Sequence, residues 1–176
     1  MVFADDTETA LLSAAALVRS AGPPDSLTTV ADLDAFFREF GYTGRHERTR
    51  AELQAVRALR PALRALLTAE EDDVVAQVNA LLARHRATPR VVRHDDLGWH
   101  VHAVSDDAPL PTRIGVETAM AMVDVVRAGE LSRLSVCADE DCDGVVLDLS
   151  RNRSKMFCST ACSNRAAVAA YRRRQA

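Results

Sequence analysis

Cysteine is missing from the first 136 residues of this 176-residue chain, and the four that occur lie between positions 137 and 162. Long apolar runs are missing too: no stretch approaches the roughly 20 residues of a membrane span, so no membrane partner is expected. Met1 to Ser20 carries Asp5, Asp6 and Glu8 before its apolar run and has no basic leader, which argues against a signal peptide and for a cytoplasmic chain. Nucleophile elbow, phosphate loop and helical zinc-protease motifs are absent, so the chain is not expected to be an enzyme. Lysine occurs once, at Lys155, and every other basic residue is Arg. With the abundant alanine this looks like the codon bias of a GC-rich genome, and a single Arg carries little functional weight. No internal repeat, low-complexity segment or Gly/Ser-rich linker is present.

Acid is absent from the end of the sequence. Leu149 to Ala176 has no Asp or Glu and seven Lys or Arg, whereas the whole chain carries a net charge of −3. The first 148 residues therefore hold 15 basic and 25 acidic groups, a balance of −10. An acidic body with a basic tail suits a protein in which the tail alone meets a polyanion. The hydrophobic content of 48% is enough for a real core.

The first two thirds read mainly as helices. Glu8 to Ser20 is rich in Ala and Leu and stops at Gly22, Pro23 and Pro24. Asp32 to Phe40 sets Leu33, Phe36, Phe37 and Phe40 at helical spacing, with Gly41 as terminator. Thr49 to Leu67 aligns Leu53, Val56, Leu59, Leu63 and Leu66, and Pro61 should kink or divide it. Glu70 to Arg86 begins acidic and ends basic, in keeping with a helix dipole. Pro111 to Gly129 aligns Val116, Met120, Val123 and Val126, with Met120 and Met122 as packing residues. Between Pro89 and Val104 the periodicity changes to that of a β-hairpin. His100 and His102 share one face of its second strand, with His94 across the turn. The three read as a solvated face; a metal or small-anion site is the alternative.

The cysteines fall as Cys137, Cys142, Cys158 and Cys162, two close pairs separated by a loop. Each pair can give two thiolates to one tetrahedral zinc at about 2.3 Å. Four sulfur ligands leave no open position, so the expected cofactor is structural Zn2+, with a regulatory disulfide and catalytic zinc as alternatives. Ser159 is a candidate N-cap that places Cys162 in the first turn of a helix running to about Arg174. The order of knuckle, hairpin and ligand-bearing helix is treble-clef-like. Because no linker precedes Cys137, the module should pack closely on the helical body.

Asp148, Ser150, Arg151, Asn152, Lys155, Phe157, Cys158 and the run Cys162, Ser163, Asn164, Arg165 resemble the tail of the CGNR zinc finger family. Ser163 replaces the signature glycine, Phe157 stands where tryptophan is common, and Met156 where a basic residue is common. The likeness covers about 40 residues, Val136 to Arg174. It implies that the preceding region is the mostly helical domain called ABATE, associated with stress-induced transcription regulation. Asp32 to Leu67 and the hairpin look similar to that domain, and the opening segment matches less well. The expected architecture is mainly α with a small β-hairpin: a helical ABATE-like domain over residues 1–133, then a treble-clef-like zinc finger over 134–176.

Arg151, Arg153, Lys155, Arg165, Arg172, Arg173 and Arg174 are candidate phosphate contacts, and Asn152 and Asn164 candidate backbone or base contacts. The reading is a cytoplasmic bacterial transcription regulator that binds DNA through its zinc module. Its helical domain would sense a small-molecule effector or form a homodimer. The alternative is a zinc-stabilised module that docks on an acidic protein or on RNA.

Overall fold

Helix α1 (Asp5–Arg19) buries small residues at Ala10, Ala14 and Ala15 and large ones at Leu11, Leu17 and Val18. Small residues let a second helix approach closely, and α6 (Leu110–Arg127) takes that position. The computed structural model, which describes residues 3–93 and 98–175, is arranged around this pair.

Local sequence sets the surrounding helices. Helix α2 (Val30–Glu39) opens with a reciprocal capping box between Thr29 and Asp32. It closes on Gly41, whose φ of +63° suits a residue without Cβ, while the Tyr42 amide donates to the Phe37 carbonyl at 3.0 Å. Thr49 caps α3 (Arg50–Arg57) by accepting from the Glu52 amide. Pro61 does divide the long amphipathic pattern: it sits in the first turn of α4 (Arg60–Leu67), where a missing N–H removes no helical bond. Helix α5 (Glu71–Arg84) runs from an acidic to a basic end. Helices of eight residues such as α3 and α4 are not stable alone. Burial of Leu53 and Val56, and of Leu63, Leu66 and Leu67, holds them, at about 1.5–3 kcal/mol for each large side chain.

Helix α6 departs from the expected single stripe. Leu110, Ile114, Val116, Ala119, Ala121, Met122 and Val125 are all buried, because α1, α3 and α5 cover the helix from different sides. Met120, Val123 and Val126 are only half-buried.

The hairpin pairs β1 (Arg90–Arg93) with β2 (Trp99–His102), with Val91 opposite Val101 and Val92 opposite His100. Its polarity is inverted relative to expectation. His100 is buried, whereas Val91 and Trp99 are 67% and 71% exposed. The inward face closes a cavity of the body, so His100 and His102 are not a solvated face. His100 Nδ1 donates to the Gly98 carbonyl at 3.0 Å, the two Nε2 atoms lie 3.2 Å apart, and His102 Nδ1 is 3.0 Å from Asp106. His94 and the rest of the turn lie outside the described residues.

A 3-10 turn (Leu131–Arg133) leads into β3 (Leu134–Val136), which pairs antiparallel with β4 (Val145–Leu147). Every residue of β4 is buried. Val145 and Leu147 enter the core of the helical body, with β4 against α1, while Val146 packs with Cys137 and Cys162. The close packing expected from the missing linker is therefore observed. Helix α7 (Thr160–Gln175) ends the chain, and Cys162 is its one buried residue. The cysteine-bearing turn lies at the tip of the β3–β4 hairpin and does not precede it; among the described residues no further strand separates β4 from α7. No described helix is long and apolar enough to cross a membrane.

Candidate metal centre

Three short segments bring the cysteines together. Cys137 follows β3, and its amide donates to the Gly144 carbonyl at 2.8 Å. The Cys142 amide turns back to the Asp139 carbonyl at 2.9 Å, closing the knuckle. Ser159 then caps α7: its Oγ accepts from the Cys162 amide at 3.2 Å, as its position suggested.

The four Sγ atoms lie within 4.8 Å of one another. Cys142 and Cys158 are 3.5 Å apart, and Cys158 and Cys162 3.6 Å. Tetrahedral thiolate coordination with bonds of about 2.3 Å places sulfurs about 3.8 Å apart, so the donor set fits one tetrahedral ion. All four are free cysteines. Gly144 makes the approach possible, since a Cβ there would lie 2.8 Å from Cys158 Sγ and 3.2 Å from Cys142 Sγ.

Donors surround the sulfurs. The Gly144 amide points at Cys142 Sγ (3.4 Å) and the Cys158 amide at Cys137 Sγ (3.3 Å). Ser159 Oγ and Arg165 Nη2 each lie 3.2 Å from Cys162 Sγ. Burial raises the Cys142 and Cys158 thiols above their ordinary range. Burial opposes ionisation of Cys137 as well, but the amides of Cys158 and Asp139 outweigh it and bring that thiol down. Thiolates this close repel one another, and a bound cation removes the conflict.

A second layer braces the centre. Arg165 reaches Asp139 Oδ2 through Nε (2.9 Å) and Nη2 (2.5 Å). Burial would raise the Asp139 carboxyl, but Arg165 holds it below the ordinary carboxylate range. Asp148 accepts from the Ser150 amide at 2.8 Å and the Lys155 amide at 2.7 Å, folding the strand-to-helix loop. Buried Arg133 reaches the carbonyls of Asp148 (2.9 Å) and Ser150 (3.0 Å) and the Glu130 carboxylate (2.7 Å).

The basic candidates separate into two sets. Arg165 is held by Asp139, Arg153 by Glu130 (2.9 Å) and Ser132 (3.1 Å), and Lys155 Nζ by the Leu147 carbonyl (3.1 Å). Arg151, Asn152, Asn164, Arg172, Arg173 and Arg174 are exposed and have no hydrogen-bond or ion-pair partner among the described residues. Sequence reasoning missed Arg133, Asp139 and Gly144 as parts of the centre. Gly144, two residues past a metal-spaced cysteine, offered a signal; a lone Arg before a strand offered none.

Two family models match the chain. One, ABATE, described as "putative stress-induced transcription regulator", covers residues 9–129. The other, the CGNR zinc finger, covers residues 133–175. No curated protein matches.

Proposed function

Because the chain belongs to the ABATE family and carries a CGNR zinc finger after that domain, we propose that it is a cytoplasmic bacterial transcription regulator that binds DNA through its tail. Cys137, Cys142, Cys158 and Cys162 hold a structural zinc, which supplies a closed tetrahedral anchor and no open coordination position. One observation carries the reading: α7 is fixed at its amino end by that centre and is otherwise free, with Arg172, Arg173 and Arg174 at its far end. Consecutive helical residues are about 100° apart, so these three make the helix end basic on most sides. Asn164 on the helix and Asn152 beside Arg151 in the loop before it are placed for further contacts. The helical body senses a small molecule or forms a homodimer, and β4, shared between both cores, links it to the finger.

Fluorescence anisotropy with random duplex DNA between 50 and 200 mM salt tests the DNA reading. Four unpartnered arginines predict a slope of log affinity on log salt near −3.6, a loss of about a hundredfold. Affinity indifferent to salt, or unchanged when Arg172, Arg173 and Arg174 become Ala, rejects it. A second reading, docking on an acidic protein surface or on RNA, is favoured by the exposure of Val168 (48%) and Tyr171 (58%) on the same helix. Those residues, three apart, form an apolar stripe that phosphate contacts do not explain.

A further inference from the structure

A half-open cavity of about 540 Å³ lies between α1, α6, the end of α2 and the inward face of the β1–β2 hairpin. This is within the usual range for a small-molecule site. Its apolar wall includes Ala10, Phe40, Met120, Ala121 and Val123. Its polar groups are unequally committed. Arg113 donates Nε to the Ala108 carbonyl (3.1 Å) and its two terminal nitrogens to the carbonyls of Thr43 and Arg45. His102 faces Asp106, and Arg127 sits at the exposed rim. Asp6 accepts from the amides of Thr7 (2.9 Å) and Val101 (3.0 Å), and Asp124 from the Thr7 hydroxyl (2.7 Å). Glu117 also lines the cavity, yet it has no hydrogen-bond or ion-pair partner among the described residues.

We propose that this cavity is a receptor site for a small organic cation, an alkyl- or arylammonium compound whose hydrocarbon part lies on the apolar wall and whose N–H groups meet the Glu117 carboxylate. A carboxylate left unpaired beside an apolar wall is unfavourable. A ligand that donates charged hydrogen bonds there recovers that loss and gains the apolar contact. An anionic ligand would face Glu117, Asp6, Asp124 and Glu39, with buried Arg113 already turned to backbone carbonyls and Arg127 only at the exposed rim. Burial raises the Glu117 carboxyl, Asp106 and Asp6 push it further, and Arg113 only partly offsets them, leaving it at about 7. A bound cation reverses this preference, so binding near neutral pH releases a proton. The inference rests on the effector-sensing half of the proposed function and is independent of DNA contact.

The test is calorimetric titration of the full zinc-loaded chain with benzylammonium and phenethylammonium, against benzyl alcohol and benzoate, in two buffers of different ionisation enthalpy. The ammonium probes are expected to bind one to one with proton release, at least about tenfold tighter than the alcohol, and Glu117→Gln should remove that margin. Met120→Trp, which fills the cavity from its apolar side, should block binding without touching the carboxylate. No binding by either ammonium, benzoate binding as well as they do, or affinity unchanged by Glu117→Gln or Met120→Trp overturns the proposal. Binding to DNA measured on the same samples separates the two readings: an ammonium-binding chain that ignores DNA keeps the cavity and loses the regulator.

Discussion

Arg165 on the last helix grips Asp139 of the knuckle with two nitrogens on one carboxylate oxygen, and the same guanidinium lies 3.2 Å from Cys162 Sγ. The Arg that closes the sequence signature therefore braces the metal centre. Hydrogen bonds to ligating sulfurs and to the residues that orient them tune metal affinity. It shares a helix face with Arg172, seven residues on, but the two do different work.

Arg165→Ala should lower zinc affinity about 10- to 100-fold, because it removes a donor from a thiolate and strands the buried Asp139 carboxylate. At saturating zinc its DNA affinity should be close to wild type. Replacing Arg172, Arg173 and Arg174 with Ala should do the reverse. Chelator competition and anisotropy on both variants check the separation, and a large DNA defect in zinc-saturated Arg165→Ala would return that residue to the phosphate-binding set.

Gly144→Ala should also weaken the centre, since the new methyl would sit 2.8 Å from Cys158 Sγ. One ligand must shift, and a loss of about tenfold or more in zinc affinity is expected. The metal-free variant should melt like metal-free wild type, which confines the effect to the centre. Equal zinc affinity would show that the strand yields more easily than the geometry implies.

Removing zinc should destabilise the helical body together with the finger. Val145 and Leu147 belong to the body core, while Val146, between them, packs on Cys137 and Cys162. Loosening β4 exposes two aliphatic side chains worth about 3–6 kcal/mol together. For a chain of this size that lowers the melting temperature by about 10 °C. Thermal unfolding by circular dichroism with and without a strong chelator should show one transition that moves as a whole. A body transition that stays in place while a small early one appears would mean independent cores.

Much of this was readable from local pattern. The cysteine spacing, the Ser159 cap and the break at Pro61 all act within a few residues, so sequence order is enough to find them. What escaped depends on partners distant in the chain. Helix α6 is covered on several sides by α1, α3 and α5, which blurs the one-sided stripe that periodicity seeks. The hairpin turns His100 inward over a cavity, and that cavity is assembled from α1, α2 and α6, far apart in the chain. Arg153 and Arg165 looked like phosphate ligands because Glu130 and Asp139, 23 and 26 residues away, are near only in the fold.

Glu117 should make stability fall as pH rises from the ordinary carboxylate range toward neutrality. Its carboxyl is raised to about 7, so the folded chain holds a proton that the unfolded chain releases near its ordinary value of 4.5. A raised acid contributes stability fully below the unfolded value and loses it as pH climbs through the folded one. The decline therefore falls between about pH 4.5 and 7, and for a half-buried group it should reach about 1–2 kcal/mol. Asp25, held down mainly by Arg60, and Asp148, held down by Ser150 and Lys155 against burial, act in the opposite sense. Their effect lies below the ordinary carboxylate range, outside this window. Urea unfolding of wild type and Glu117→Gln at pH 5 and pH 8 isolates the group, because all other titrations are common to both. Wild type should lose stability relative to the variant as pH rises; a constant difference would show that Glu117 ionises in the folded chain as it does in water.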